Sequence, residues 1–305
     1  MRRVARIIVI AIVLVAWAIY LARSWDRLQS YPWQIAMLPL ALALAAAMVY
    51  WLSLAVAWHR SLRVMHGTLL LVDAITIWLR SMLMRYVPGN IWHVMGRVYL
   101  AERHGQSRRT ILASTIVEQI LTLVGGSVAF ALSLPLWMSV GRGWLLLMAI
   151  IPAGLLALHP SLLDRGLVLG ARVLRRPMEP MTVSYGDQLR LLPWYVAPNV
   201  FGGINLALCL ASVGPVSLGQ LPALMGAFAA AWVVGYLSVL TPSGIGVREG
   251  ALTLMLTPTF GLAPAMVASL LSRLSCTVAE LLLVLLWQVI TSSVGRRRFV
   301  QSLER

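Results

Sequence analysis

The stretch Thr241-Pro242-Ser243-Gly244-Ile245-Gly246-Val247-Arg248-Glu249-Gly250 interrupts an otherwise apolar part of the chain. Proline removes a backbone hydrogen-bond donor and clashes with the preceding helical turn, so a helix that enters this stretch should stop there. A second interruption, Val87-Pro88-Gly89-Asn90-Ile91, follows the same design. Each proline is followed closely by a residue that caps a new helix well, Asn90 or Ser243. Both regions are therefore predicted to fold as helix, break, helix.

The composition places these breaks in a membrane protein. Hydrophobic residues make up 60% of the chain and charged residues only 11%, with a mean hydropathy of +0.83. Soluble domains carry about 25% charged residues, and a helix that spans a bilayer needs about 20 predominantly apolar residues. The expected fold class is an all-α polytopic membrane protein. Six apolar runs are predicted to be full spans: residues 7–22, 33–58, 111–134, 143–158, 191–213 and 264–290.

The distribution of arginine sets the expected orientation. The net charge is +15, and all 25 basic residues are arginine. Arginines in loops favour the cytoplasmic side, and here they precede the first span, fill alternate loops and close the chain. Both termini are therefore expected in the cytoplasm, in a bacterial-type inner membrane. Arginine also suits phosphate binding, although codon usage together with topology explains the total more simply. Nucleic-acid binding is not expected, because no soluble basic domain is present.

With this orientation, the two broken regions cannot be simple spans. Region 68–100 begins and ends on the cytoplasmic side, and region 221–256 begins and ends on the outer side. Each is predicted to be a re-entrant hairpin, and the two enter from opposite faces, as in the inverted repeats of secondary transporters. The expected segments of this single membrane domain are 1–67 (two spans), 68–134 (hairpin and span), 135–220 (connecting spans), 221–292 (hairpin and span) and 293–305 (basic tail).

Charged side chains cluster around the breaks and on the spans that follow them. An ionised side chain at the bilayer centre costs at least about 2.5–3.5 kcal/mol, so such residues pair with each other or line a pathway. Both interpretations stay open, and the pairs expected in the first case are Arg97 with Glu118 and Arg248 with Glu280. Two helical stripes carry the charges of the spans: Ser114, Glu118 and Thr122, and Arg273, Thr277 and Glu280.

A binding site for an anion is predicted between the breaks. Half-helices that begin there would direct free N–H groups and positive dipole ends into a polar interior. His93 is more readily a structural hydrogen-bond partner than a proton relay. Metal, nucleotide and nucleophile motifs are absent, so no catalytic residue, metal or cofactor is expected. The twelve tryptophans are assigned to interfacial belts. The candidate site residues are Arg85, Tyr86, Pro88, Gly89, Asn90, His93, Arg97, Glu118, Pro242, Ser243, Gly244, Gly246, Arg248, Glu249, Arg273 and Glu280.

The two broken motifs together resemble one family. Residues 85–90 (RYVPGN), with Gly96-Arg97 downstream, and residues 242–250 (PSGIGVREG) look like the transmembrane region of lysylphosphatidylglycerol synthases and their stand-alone, flippase-like relatives. The resemblance covers roughly residues 69–286, and the second motif is the more specific. The family usually has glycine at the position of Ser243, and serine keeps the break while adding a cap.

The resemblance implies a function in lipid translocation. In the full-length synthases this region is linked to moving aminoacylated lipid, which a separate soluble domain makes. The sequence here ends without that domain, so a translocator without aminoacyl-transfer activity is expected. Arg97 and Arg248 would hold the phosphate of an anionic lipid, and Glu118 and Glu280 would balance those charges or couple to protons. Membrane lipids are the expected partners. A membrane enzyme acting on lipid-linked aminoacyl or sugar groups, or an accessory subunit of a separately encoded transferase, stays open.

Overall fold

The structure, a computed structural model, describes residues 35–86, 92–137, 142–173, 183–238, 244 and 246–303. Every regular element in these ranges is a helix. The α-helices are α1 (Met37–Val64), α2 (Leu71–Met82), α3 (Trp92–Glu102), α4 (Arg108–Ser133), α5 (Ile150–Ala157), α6 (Pro160–Val173), α7 (Tyr185–Leu189), α8 (Leu192–Val196), α9 (Pro198–Ala211), α10 (Leu221–Leu237), α11 (Val247–Phe260) and α12 (Leu262–Leu303). Short 3-10 helices cover Leu83–Tyr86, Leu134–Leu136, Arg142–Ala149 and Leu218–Gln220.

Five helical stretches of the described residues are long and apolar enough to cross a membrane, so the chain is a multi-pass membrane protein. Four of them overlap the spans predicted over 33–58, 111–134, 191–213 and 264–290. The five stretches are Met37–Val64, Arg108–Leu136, Tyr185–Ala211, Leu218–Leu237 and Leu262–Thr291.

The layout differs from the prediction in two places. The apolar run over 143–158 is not long enough to be a full span by itself: its helical part, Gly143–Ala157, can cross a membrane only together with Pro160–Gly166, which continues at an angle of 85°. A residue that precedes proline is disfavoured in the helical region, which places the bend there. In addition, α10 and its preceding 3-10 turn form a 20-residue apolar stretch that is long enough to cross by itself, whereas the sequence predicts one arm of a hairpin.

Helices flank both predicted breaks. In the first region α2 and a 3-10 turn come before the proline and α3 comes after it, and in the second region α10 and α11 take these positions. The helices predicted before and after each proline are therefore confirmed. Pro88, Gly89, Asn90, Pro242 and Ser243 lie outside the described residues, as do the run 7–22 and the Tyr86 side chain, so the predicted helix caps stay predictions.

Helix α1 lies at the centre of the bundle, where it packs most extensively against α9 and also contacts α2, α4 and α12. Its inward face carries small residues, and Ala43, Ala47 and Ala55 are completely buried. In a membrane the lipid tails are as apolar as the side chains, so helix association depends on close packing and small residues at the contact. These alanines therefore explain why α1 can take several neighbours at once.

A buried amide on α9 ties three helices together. The Asn205 Nδ2 atom donates to the backbone oxygen of Ala43 on α1 at 2.9 Å and to Ser275 Oγ on α12 at 2.7 Å. The Ser272 hydroxyl donates to Asn205 Oδ1 at 2.7 Å. Hydrogen bonds between membrane helices contribute about 0.6 kcal/mol each on average, and up to about 1.7 kcal/mol. Asn205 therefore fixes the relative positions of α1, α9 and α12.

Replacing Asn205 with leucine should destabilise the bundle. The change removes three hydrogen bonds and leaves Ser272 without its acceptor, so a loss of about 2 kcal/mol is expected. Thermal unfolding of the purified protein in detergent should show a melting temperature several degrees below wild type. The control is Val200→Ala on the exposed side of α9, and equal melting temperatures for the two variants would contradict this role.

Candidate functional site

A cavity of about 300 Å³ lies between the two broken regions. Its walls come from α1, α4 and α12, from both sides of the first break, and from α10 and α11 of the second. Trp51, Thr122 and Cys276 line it, and each lies within one residue of the midpoint of its span. The cavity is therefore at mid-height of the bundle.

One ion pair joins the first broken region to the last span. Arg85, in the 3-10 turn after α2, pairs with Glu280 on α12, which is completely buried. The Arg85 guanidinium also lies 4.5 Å from the centre of the Trp51 ring. The predicted pairing of Glu280 with Arg248 is wrong, because Arg85 reaches this carboxylate from across the cavity. The two partners are 195 residues apart in the sequence, so no local spacing of residues predicts this pair.

A second ion pair lies behind the cavity wall. Arg97 on α3 pairs with Glu118 on α4, which confirms the predicted pair. The Trp78 indole N–H donates to Glu118 at 2.7 Å, and the Arg97 guanidinium lies 4.6 Å from the Trp58 ring. Glu118 lines the cavity, but Arg97 is 0% exposed and sits among these aromatic rings. Arg97 is therefore placed to hold Glu118 rather than to meet a ligand.

A third ion pair involves the carboxylate next to Arg248. Glu249 lies 3.6 Å from Arg273 on α12, and it accepts a hydrogen bond of 2.6 Å from the Gly246 backbone N–H. Glu249 therefore satisfies a donor at the start of α11, where a negative side chain is favoured. At the same time it holds α11 against α12 through Arg273, which lines the cavity.

Seven charged residues form one cluster at the cavity: Arg85, Arg97, Arg248, Arg273, Glu118, Glu249 and Glu280. Arg248 differs from the other three arginines of this cluster. It is only 6% exposed, it lines the cavity, and its guanidinium lies 4.8 Å from the Phe228 ring. None of the described carboxylates is within 4 Å of it, and its Nη2 atom has no hydrogen-bond partner in the described part of the chain. The cluster therefore has four arginines and three glutamates, and the unmatched charge is on Arg248.

Glycines bring the second break close to α10. Gly244 has φ +66°, in the left-handed region that favours glycine, and a Cβ there would lie 2.5 Å from the Gly235 carbonyl oxygen. A Cβ on Gly235 would in turn lie 2.9 Å from Cβ of Arg248. Only glycine at 235 leaves room for Arg248 without a shift, so Gly235 helps to place this arginine at the cavity wall. The sequence offered no signal for Gly235, because it lies inside a regular apolar helix.

The structure brings most of the described candidate residues to one place. Glu249 and Glu280 hold lining arginines, Arg97 stands behind Glu118, and the Gly246 N–H binds Glu249. The candidates that line the cavity directly are Arg85, His93, Glu118, Gly244, Arg248 and Arg273.

Sequence reasoning missed the aromatic part of the lining. Trp51, Trp78, Trp232 and Tyr236 all line the cavity, and the first two are almost completely buried. The assignment of these three tryptophans to interfacial belts is therefore wrong. Tryptophan is common at membrane interfaces, so its presence alone gives no signal for a cavity. Thr122 and Thr277, by contrast, belong to the helical stripes that carry Glu118 and Glu280, and that spacing identifies them.

Comparison with known proteins gives no relative for this chain. No family model matches it, and a search of characterised proteins finds no significant match. Among the described residues, no group of three or more histidine, cysteine, aspartate or glutamate side chains could hold a metal ion. The chemistry of the site therefore has to be argued from its own charges, volume and walls.

Removing one partner of the Arg97–Glu118 pair should lower the stability of the protein more than removing both charges. Arg97→Met leaves a buried carboxylate without its cation, which typically costs about 3–5 kcal/mol. Adding Glu118→Gln removes the orphan charge and keeps an acceptor for Trp78. The double variant should therefore melt at a higher temperature in detergent than Arg97→Met alone. A double variant that melts lower than the single one would show that the pair does not carry this balance.

The partner of Glu280 can be tested by double-mutant cycles. Arg85→Gln and Glu280→Gln should be strongly non-additive in melting temperature, because each removes the same contact. Arg248→Gln and Glu280→Gln should be nearly additive, and this second cycle is the matched control. Stronger coupling in the Arg248 cycle than in the Arg85 cycle would favour the pairing that the sequence predicts over the one in the structure.

Proposed function

We propose that this protein is a flippase-like transporter that moves an anionic, phosphate-bearing lipid across the cytoplasmic membrane. The observation that carries the proposal is Arg248, a buried cation without a carboxylate partner among the described residues, on the wall of a cavity at mid-height of the bundle. Ionisable residues at this depth are expensive and mark substrate pathways. In secondary transporters the substrate site also lies near the midplane, between broken helices.

The charges of the cluster favour an anion as the cargo. Three of its arginines are compensated by glutamates, and the fourth, Arg248, is compensated by none of the described ones. An uncompensated charge away from water is unfavourable, so an anion that enters the cavity gains a charge-assisted hydrogen bond without breaking an existing pair. Guanidinium groups match phosphate oxygens in both charge and shape.

The walls favour a lipid over a free ion. Much of the lining is apolar or aromatic, and Leu54, Trp78 and Met82 are part of it. Tyr236 and Trp232 extend the same aromatic lining along α10. An apolar wall of this kind suits the acyl chains of a lipid better than the hydration shell of a free ion.

The proposed topology has both termini in the cytoplasm and two hairpins that enter from opposite faces as an inverted repeat. Arg109 pairs with Asp164 at 2.7 Å, and the Arg60 guanidinium lies 4.7 Å from the Trp194 ring. These contacts support the proposal that the arginine-rich segments at the end of α1, at the start of α4 and between α5 and α9 lie on the same side of the membrane. Each half also has a span, a broken helix pair, and a second span with a buried glutamate.

The proposed mechanism uses the ion pairs as the resting state of the site. The phosphate binds Arg248 and Arg273, which line the cavity together, while Arg97 holds Glu118 in place. This assignment departs from the sequence expectation that Arg97 itself binds phosphate. The resemblance of the two broken motifs to flippase-like proteins is consistent with this function. With no ATPase motif in the sequence, we propose that movement is downhill or coupled to ions.

Translocation should depend on Arg248. In proteoliposomes that contain tail-labelled phosphatidylglycerol, the wild type should move label between leaflets, and Arg248→Gln should be slower by roughly tenfold or more, since a charged hydrogen bond contributes about 1.5–3 kcal/mol. The matched control is Arg190→Gln, whose side chain is 83% exposed. Equal rates for Arg248→Gln and wild type, with both variants folded by gel filtration, would contradict the proposal. A change in the mass of the lipid would instead favour the membrane enzyme.

A further inference from the structure

The charge and volume of the cavity define its ligand more narrowly than the proposed function does. We infer that the cavity selects a phosphate-ester lipid whose headgroup is compact and net negative, and that Arg248 imposes this selectivity. A headgroup with an added ammonium group is excluded. This inference rests on the proposed function, because it names the substrate class of the same site.

The first argument is the balance of charge. Glu118, Glu249 and Glu280 are each held by an arginine of the cluster, so an incoming ammonium would have to compete with a guanidinium for any of them. The remaining charge is positive and lies on Arg248. A headgroup with one net negative charge neutralises the cluster, whereas an aminoacylated headgroup adds positive charge to it. The added ammonium and the Arg248 guanidinium would share one cavity, and like charges that close repel strongly in a medium of low dielectric constant.

The second argument is the occupation of the aromatic faces. Aromatic rings can bind an ammonium group through cation–π contacts, so the tryptophans of the lining could in principle serve a cationic lipid. Arg85, however, already lies over Trp51, and Arg97 lies 5.7 Å from the centre of the Trp78 ring. Trp232 and Tyr236 stack on each other, with ring centroids 5.7 Å apart. Each of these four rings therefore already has a partner within the protein, with which an incoming ammonium would have to compete.

The third argument is size. Liquid water occupies about 30 Å³ per molecule, so a cavity of about 300 Å³ holds roughly ten groups of that size. A glycerophosphate head has about that many non-hydrogen atoms and fits. A pyrophosphate that carries even a disaccharide has several times that number and would have to extend out of the cavity.

The geometry around Arg248 supplies a place for the phosphate. Arg273 lines the same cavity, and its distance to Glu249 of 3.6 Å is longer than a hydrogen bond. Arg273 therefore offers a second guanidinium on the cavity wall for another oxygen of the same phosphate. Thr277, one turn further along α12, also lines the cavity, but its hydroxyl donates to the Arg273 backbone oxygen at 3.0 Å. The two guanidinium groups therefore form the cradle for one phosphate ester.

Binding to the purified full chain in detergent tests the inference without any transport step. Native mass spectrometry would compare five probes: dioctanoyl phosphatidylglycerol, farnesyl phosphate, dioctanoyl phosphatidylcholine, dioctanoyl lysylphosphatidylglycerol and inorganic phosphate. The first two are expected to bind at least roughly tenfold more tightly than the others. Whichever of these two binds more tightly identifies the lipid source, and either order supports the inference. Inorganic phosphate binding as tightly as both would overturn a lipid as the ligand.

Variants of Arg248 show whether this residue imposes the selectivity. Arg248→Gln should bring phosphatidylglycerol to within about twofold of phosphatidylcholine, and Arg248→Lys should keep part of the preference, because it keeps the charge but loses the fork. The exposed control Arg190→Gln should bind like wild type. Similar affinities of wild type for phosphatidylglycerol and lysylphosphatidylglycerol, or selectivity that survives in Arg248→Gln, would overturn the inference. Selective binding without translocation would refute only the proposed function, and translocation without selectivity would refute only the inference.

Discussion

The compensation of buried charge is the constraint on which this bundle depends. Several of its helices are too short to cross a membrane, and each of these that carries a buried charge is fastened to a full span by an ion pair. Because a lone charge away from water is costly, the short helix and the span cannot separate without exposing both partners to lipid. The pairs are Arg85–Glu280, Arg97–Glu118 and Arg273–Glu249.

The same constraint determines what the cavity can do. Once three glutamates have taken their arginines, Arg248 is the arginine of this cluster that has no carboxylate partner among the described residues, and it lies where the spans are at mid-height. The ion pairs therefore act on two levels: they hold the broken regions in place, and they determine the sign of the charge offered to a ligand. Packing completes the arrangement, because Gly235 leaves the space in which the Arg248 side chain lies.

Aromatic rings stabilise the buried arginines of the cluster. Trp51, Trp58 and Phe228 each lie against a guanidinium, which stabilises the cation by a cation–π contact without adding another negative charge. A carboxylate at even one of these places would neutralise the cluster. Rings instead keep the arginines buried and positively charged, which a site for an anion requires.

Local patterns in the sequence determined the membrane class, the helices on either side of both prolines and the stripes that carry Glu118 and Glu280, because composition and helical spacing act over short stretches of chain. They also predicted the pairing of Arg97 with Glu118, whose helices follow each other directly. Only the tertiary structure decided that Glu280 pairs with Arg85, that Arg248 is left over and that tryptophans line the cavity. These outcomes depend on which helices meet across the bundle, and residues far apart in the chain carry no local signal of that choice.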